Sequence, residues 1–384
     1  MRHQRRLTEI LRATRTHWDH QDVRPAVREN FAKVLKCQTL HLGAELFSSG
    51  TKIKVVPHTC KSRACPSCGY RATLLWQREQ WALLPDVSYA GVVFTMPNVL
   101  WPIFEQNRRL LHDLPALGTA VIQQWAKVTY GVHLLLMVVQ HTSGRHLNFY
   151  PHLHILVSTA GLNESQGRWV GLLKFDKRAL MHMWRYALIM YLRQALQAKI
   201  LQSHLSAEEL KAVFKTQYER WWDIHIDRFQ SKSQFLRYAG RYLRRPPLAQ
   251  RRIVEMTDRE VRFWTKDTRT KQVVVTRCSL QGFVAMLADH VPDRYRHAVR
   301  YFGLLSPGLK PHTSAALFML VGQVRRTRPR RLSWANSLQK YFGVSPLVDS
   351  EGRPMRWAGR LRPGSCLGGV DRRGLPDKAV ASQV

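Results

Sequence analysis

Acidic residues are scarce in this 384-residue chain. Asp and Glu together number 26 against 60 Lys and Arg, which gives a formal net charge of +34 at pH 7. A nuclease built on converging carboxylates needs a local cluster of acids, and no stretch of the sequence reads as one. The excess positive charge indicates a polyanionic partner. Because 38 aromatic residues are interleaved with this charge (12 Trp, 12 Tyr and 14 Phe), nucleic acid is the polyanion we expect.

Long hydrophobic runs are also lacking. The longest, His133–Val139, is far shorter than the ~20 residues of a membrane-spanning helix and is typical of a buried strand. The first six residues carry positive charge but are followed by no apolar stretch, so we expect no secretory signal. The sequence has no G-x4-G-K-[ST] loop, and we expect no nucleotide cofactor. These absences predict a cytoplasmic protein that has no membrane partner.

Cysteines are few, but three of the six lie within nine residues, in the C-x4-C-x2-C pattern of Cys60, Cys65 and Cys68. In a reducing compartment this spacing favours a tetrahedral metal site over a disulfide framework. A fourth ligand is needed, and Cys37 and His58 are the candidates, with His41 behind them. We predict a structural zinc ion, because a cysteine-rich site is usually closed and no carboxylate stands beside it as a base.

The remaining sequence predicts an α+β fold, in which helices cover an antiparallel sheet. Short β-branched runs alternate with longer amphipathic stretches. The predicted strands are 89–96, 132–140, 152–159, 222–226, 252–256, 261–265 and 272–276, and the predicted helices are 103–128, 174–200, 231–244 and 279–289. We divide the chain into a small zinc-binding, DNA-contacting module (1–87), a catalytic domain (88–305) and a basic, partly disordered tail (306–384).

Two histidines alternate with apolar residues in the stretch Tyr150–Val157. In a strand, His152 and His154 point to one face, about 7 Å apart, while the residues between them point into the core. Such a pair can hold a divalent cation that neutralises charge on a phosphodiester under attack. The preceding apolar strand ends at His141, and a hairpin through the following loop can bring it beside the pair as a third ligand. We therefore predict a catalytic Mg²⁺ or Mn²⁺ site.

Two tyrosines stand four residues apart in the predicted helix 231–244. Tyr238 and Tyr242 therefore lie on one helix face, one turn apart. A neutral phenol is a poor nucleophile, and neighbouring cations favour the phenolate. Gly240 lies between them and lowers helix stability without a packing gain, which argues against a purely structural helix. These tyrosines are candidate nucleophiles, and the alternative is a core helix that merely packs its rings.

Basic residues beside the cysteines and the tyrosines are predicted DNA contacts, because binding to nucleic acid comes mainly from Arg and Lys. They are Lys61, Arg63 and Arg71 near the cysteines, and Arg237, Arg241, Arg244 and Arg245 near the tyrosines.

The order of these motifs resembles the two-tyrosine rolling-circle insertion-sequence transposases of the HUH endonuclease superfamily. The similar sequence segments are 56–69 (VPHTCKSRACPSCG), 92–97 (VVFTMP), 151–154 (PHLH) and 238–247 (YAGRYLRRPP). The resemblance extends over about residues 20–305. It implies an HUH endonuclease core behind a zinc-binding module, in a bacterial protein that associates with the nucleoid. It also implies that His152 and His154 are metal ligands, that His141 stands where the family has Gln or His, and that Tyr238 and Tyr242 are the nucleophiles.

The chain departs from this family in two stretches. Relatives often carry a second cysteine pair upstream of the first, where residues 46–50 (LFSSG) have none. Many also end in a Cys-Pro-x-Cys-Gly knuckle, whereas residues 344–352 contain no cysteine, and we expect no second zinc there.

The function predicted from these observations is that of a transposase, which nicks and joins single-stranded DNA at the ends of an insertion sequence (the element ends) through a 5′-phosphotyrosine intermediate. A plasmid replication initiator or relaxase shares this chemistry. A zinc-dependent DNA-binding regulator would explain the cysteines and the charge but would leave the histidines and tyrosines without a role. A carboxylate-based nuclease is the third alternative. A covalent tyrosyl-DNA adduct distinguishes the tyrosine enzymes from the other two classes.

Overall fold

The computed structural model describes residues 5–50, 52–62, 64–242, 248–267, 270, 272–297, 299–327, 329–330 and 332–364. The chain divides into two compact units. The first comprises 1–74, 245–293 and 329–384, and the second comprises 75–244 and 294–328. Each unit is therefore assembled from segments far apart in sequence. The functional division at 87/88 and 305/306 stays a prediction.

Unit 1 contains two small antiparallel sheets and short helices. The strands are β1 (Ala44–Ser49), β2 (Lys52–Pro57), β8 (Ile253–Met256), β9 (Glu260–Lys266), β10 (Val273–Ser279) and β12 (Arg356–Leu361). One sheet has the order β12-β1-β2 and the other β10-β9-β8. The helices are α1 (Arg5–Ala13), α2 (Arg15–Trp18), α3 (Pro25–Leu35), α10 (Leu280–Asp289) and α12 (Trp334–Phe342), and α4 (Pro66–Leu83) begins in this unit.

Unit 2 is built on a six-stranded antiparallel sheet. Its strands are β3 (Tyr89–Phe94), β4 (His133–Ser143), β5 (Phe149–Asn163), β6 (Arg168–Val170), β7 (Ile224–Phe229) and β11 (Val299–Gly303). Their order is β11-β4-β5-β3-β7, with β6 paired to β5. Its helices are α5 (Trp101–Gln106), α6 (Leu114–Tyr130), α7 (Lys177–Gln197), α8 (Ala207–Glu219), α9 (Lys232–Tyr242) and α11 (Lys310–Leu320). The predicted α+β class with an antiparallel sheet is confirmed.

The two faces of this sheet carry separate cores. Alternate residues of β3 and β5, such as Val92 and Ile155, pack with α5, α6, α7 and α8 on one face. The other face, which we call the α9 face, packs against Trp76 of α4 and Phe235 of α9. Because β4 is buried on both faces, its sequence is a continuous apolar run without polar alternation.

One expectation about local structure was wrong. The single helix predicted at 103–128 is two helices, α5 and α6, because Asn107 leaves helical geometry between them. Its buried side-chain amide donates to the Gln202 carbonyl oxygen at 2.7 Å, and its amide oxygen accepts from the Gln202 N–H at 2.7 Å. Within the predicted tail at 306–384, the described residues include α11, α12 and β12, and β12 pairs with β1. That the tail is partly disordered stays a prediction. Residues 365–384 of that tail lie outside the described residues.

Among the described residues, no helix combines the length and apolar character that a membrane crossing requires.

Candidate metal centres

Four cysteine sulfurs converge in unit 1. The Sγ atom of Cys37 lies 3.7 Å from that of Cys65 and 3.8 Å from that of Cys68, and the Sγ atoms of Cys60 and Cys68 are 3.7 Å apart. Cys37 follows α3, Cys60 follows β2, and the other two stand at the start of α4. A tetrahedral zinc with bonds of about 2.3 Å places its ligand sulfurs about 3.8 Å apart. The spacing of these thiols therefore fits one zinc ion.

The protonation chemistry of the four thiols also fits a cation. Hydrogen bonding with Cys37 and the other two thiols holds the pKa of Cys68 far below its usual range. The same kind of contact, again with Cys37 first, raises the pKa of Cys65. The backbone N–H of Lys61, which has a left-handed φ of 55°, also stabilises the Cys68 thiolate. Four such sulfurs in mutual contact are the soft donor set that zinc prefers.

Of the candidates for a fourth ligand, Cys37 lies in this cluster and His58 does not. Nε2 of His58 lies 3.1 Å from Oε1 of Glu45, and Nδ1 lies 2.9 Å from the Leu42 carbonyl oxygen. Both ring nitrogens are therefore engaged away from the sulfurs. His41 lies in the turn Leu40–Leu42 and is exposed. Proximity in sequence made His58 a candidate, but the hairpin of β1 and β2 turns its ring towards Glu45.

The predicted DNA contacts near the cysteines differ in their surroundings. Lys61 is exposed. Arg71 is half-buried, and its Nε donates to the Ser337 hydroxyl at 3.0 Å. Arg63 lies outside the described residues.

Three histidines converge on the α9 face of unit 2. His141 on β4 pairs directly with His152 on β5, and Val139 pairs with His154. The Nε2 atoms of His152 and His154 are 3.1 Å apart. The ring centre of His141 lies 5.4 Å from that of His152 and 4.8 Å from that of His154. The strand alternation and hairpin expected from the sequence thus bring all three imidazoles within reach of one ion.

The surroundings of His152 and His154 favour neutral rings. Nδ1 of His152 donates to the Tyr150 carbonyl oxygen at 2.7 Å, which leaves Nε2 as the unprotonated nitrogen. Burial lowers the pKa of His152 to about 4. Burial, and then the neighbouring His141 and His152, lowers the pKa of His154. Because neutral imidazole is the form that binds metal, this donor set fits a divalent cation.

The phenol of Tyr238 lies beside this cluster. Its hydroxyl oxygen is 3.4 Å from Nδ1 of His154, at the outer limit of a hydrogen bond. The ring is half-buried and packs on Phe229 with ring centres 4.9 Å apart. The helix α9 holds this position because Phe235, one turn earlier, stacks on Tyr89 of β3 at 4.3 Å.

The structure explains Gly240 differently from the sequence argument. A Cβ atom at this position would lie 2.1 Å from Nε2 of Gln77. The Gln77 amide in turn donates to the Leu236 carbonyl oxygen at 2.7 Å. Gly240 therefore has a packing role, and the assumption that it brings no packing gain was wrong.

The remaining candidates lie at the end of α9. The backbone of Arg241 and Tyr242 belongs to the last turn of the helix, but their side chains lie outside the described part. Arg237 is exposed on the same helix. Arg244 and Arg245 fall in residues 243–247, which are outside the described ranges.

Sequence reasoning missed two polar residues on β7. His225 and Asp227 project onto the α9 face, and Nε2 of His225 lies 2.9 Å from Oδ1 of Asp227. The alternation of polar and apolar residues in Ile-His-Ile-Asp was the signal that could have found them.

The chain matches two protein families and two curated relatives. Residues 136–312 match the family described as "Putative transposase", and residues 9–96 match the family described as "Transposase zinc-binding domain". The chain is 32% identical over 289 residues to the transposase for insertion sequence element IS801 of Pseudomonas savastanoi pv. phaseolicola, covering 72% of this chain and 70% of the relative. It is 28% identical over 318 residues to the putative transposase y4qJ of Sinorhizobium fredii, covering 78% of each. No solved structure matches the chain.

Proposed function

Since the chain belongs to the rolling-circle insertion-sequence transposases, and carries their zinc-binding domain, we propose that it nicks and joins single-stranded DNA at the ends of an insertion sequence. The reaction proceeds through a 5′-phosphotyrosine. The observation that carries this proposal is the 3.4 Å distance between the Tyr238 hydroxyl oxygen and Nδ1 of His154, within a cluster of three histidines.

The residues around Tyr238 favour its action as a nucleophile. When Nε2 of His154 donates its lone pair to a cation, the neutral ring carries its proton on Nδ1. That N–H can then donate to the Tyr238 oxygen, which stabilises the phenolate and directs it. His152 is held in the matching orientation by its bond to the Tyr150 carbonyl oxygen. These contacts position one oxygen nucleophile beside a phosphate-binding site.

A Mg²⁺ or Mn²⁺ ion held by His141, His152 and His154 would neutralise charge on the phosphate. Attack by Tyr238 joins the phenolic oxygen to the 5′-phosphate and releases a free 3′-OH. The energy of the broken phosphodiester is retained in the phosphotyrosine ester, so joining requires no nucleotide. Tyr242, or the 3′-OH itself, then resolves the adduct. The net charge of +34 supplies the attraction for the DNA strand.

The test is incubation of the purified protein with labelled single-stranded element ends and Mn²⁺ or Mg²⁺. The expected product is a protein-linked DNA band that survives denaturation and requires the divalent ion. Binding without a covalent band would favour a non-catalytic zinc-dependent regulator. Cleavage that leaves a 5′-phosphate and no adduct would favour hydrolysis by an activated water. An adduct formed on plasmid origins but not on element ends would favour a replication initiator or relaxase.

A further inference from the structure

The pair His225 and Asp227 shares the α9 face with the three histidines. Val93 on β3 pairs with His154 on one side and with His225 on the other. Because directly paired residues of antiparallel strands point to the same face, these three side chains form one row. The strand spacing of about 4.8 Å places His225 about 10 Å from His154. In the neighbouring row, Gly91 on β3 pairs with Asp227 on β7. β7 therefore borders Tyr238 on the side opposite to β5.

The contact within this pair orients the histidine ring. Nε2 of His225 lies 2.9 Å from Oδ1 of Asp227, two residues along the same strand. A carboxylate at Nε2 fixes the plane of the ring and leaves its Nδ1 edge as the side that meets a ligand. The side chain of His225 is 64% exposed, whereas His152 and His154 are buried. Of His152, His154 and His225, His225 is therefore the one that is open to DNA.

The space between His154 and His225 suits the reaction already proposed. The Tyr238 hydroxyl lies near His154, and about 10 Å between the two strand positions is a spacing that one phosphate group bound above Val93 would bridge. In an in-line displacement the attacking and leaving oxygens stand on opposite sides of phosphorus. With the Tyr238 oxygen beside His154, a leaving 3′ oxygen on the opposite side of phosphorus can reach His225 on β7.

We propose that His225 is the acid-base group for the 3′ oxygen of the scissile phosphodiester and that Asp227 positions it. This inference rests on the proposed function. As the Tyr238 oxygen bonds to phosphorus, the bond to the 3′ oxygen breaks with its electron pair. The His225 imidazolium gives its proton to that oxygen, the phenol proton passes to solvent, and His225 regains a proton from water. In joining, the 3′-OH attacks the phosphotyrosine, His225 accepts its proton, and the Tyr238 phenolate is reprotonated from solvent.

A sulfur substitution in the substrate tests this role. Two single-stranded element ends are compared in Mn²⁺, one with the normal 3′ oxygen at the scissile bond and one with a bridging 3′ sulfur. A thiolate leaves without protonation, so a general acid is dispensable for the second substrate. We expect His225→Gln to slow adduct formation about 100-fold on the oxygen substrate, and to restore it to within a few-fold of the wild-type rate on the sulfur substrate. Asp227→Asn should slow adduct formation less on the oxygen substrate, and the sulfur substrate should restore the rate in the same way.

The controls separate this role from others. His204→Gln changes an exposed histidine in the loop before α8 and should leave both rates unchanged. Tyr238→Phe should lose adduct formation on both substrates. Equal slowing of both substrates by His225→Gln, or no slowing of either, would overturn the acid-base role. If folded wild-type protein formed no adduct with either substrate, the proposed function itself would fail, and this inference with it.

Discussion

A Cβ atom on Gly91 would lie 3.1 Å from Cε1 of Tyr238. The tyrosine ring thus lies directly on the backbone of β3, and only glycine leaves the full space for it. This contact, together with the Phe229 ring, sets how far the hydroxyl stands from His154.

Gly91→Val should therefore displace Tyr238 while preserving the sheet, because valine is favoured in strands. A displacement of a few tenths of an ångström to 1 Å at a nucleophile lowers reactivity steeply. We expect adduct formation to be at least about tenfold slower, measured by single-turnover kinetics on labelled element ends. Gly171→Val is the matched control, since no heavy atom lies within 4 Å of a Cβ atom there. Equal rates for both variants would show that the ring position is not limiting.

The tyrosine pair gives the most direct test of nucleophilic catalysis. Tyr238→Phe and Tyr242→Phe each remove one hydroxyl and leave packing almost unchanged. We expect at least one single variant to lose the covalent adduct, and this should be Tyr238→Phe because the Tyr238 hydroxyl contacts His154. The double variant should lose all cleavage. Mass spectrometry of the trapped peptide assigns the residue. Wild-type cleavage by the double variant would place the nucleophile elsewhere.

The histidine cluster should be needed for cleavage but not for binding. His152→Ala or His154→Ala removes a ligand for the cation, so cleavage should fall by more than about 100-fold. DNA affinity and its salt dependence should stay nearly intact, because both come from Arg and Lys. Gel-based cleavage and fluorescence-based binding at several salt concentrations separate the two effects. A parallel loss of binding in a folded variant would instead make the histidines DNA contacts.

The cysteine cluster should bind zinc as part of folding. Cys65→Ser removes one of four thiolates, so the variant should lose its zinc by elemental analysis and melt about 5–10 °C lower. His58→Ala is the matched control, because its ring faces Glu45 rather than the sulfurs, and it should retain its zinc. Zinc-free wild-type protein that is fully folded would contradict a structural role for the metal.

The sequence by itself determined the features that depend on local spacing. The alternation of His152 and His154 and the apolar run of β4 indicated strands, and the C-x2-C spacing of Cys65 and Cys68 indicated a metal knuckle. Periodicity within one strand or one helix settles which side chains share a face. For the same reason the α+β class and most of the elements of unit 2 could be predicted, and the motif order sufficed for the family.

Only the tertiary structure decided which distant segments meet. The choice of Cys37 over His58, the pairing of β12 with β1, and the row formed by His154, Val93 and His225 all depend on contacts between residues far apart in the chain. Outside a hairpin such as β4–β5, no local pattern encodes strand register or the order of strands in a sheet, because these are fixed by the burial of whole faces. Gly240 shows the same limit, since the Gln77 side chain that it accommodates comes from another helix.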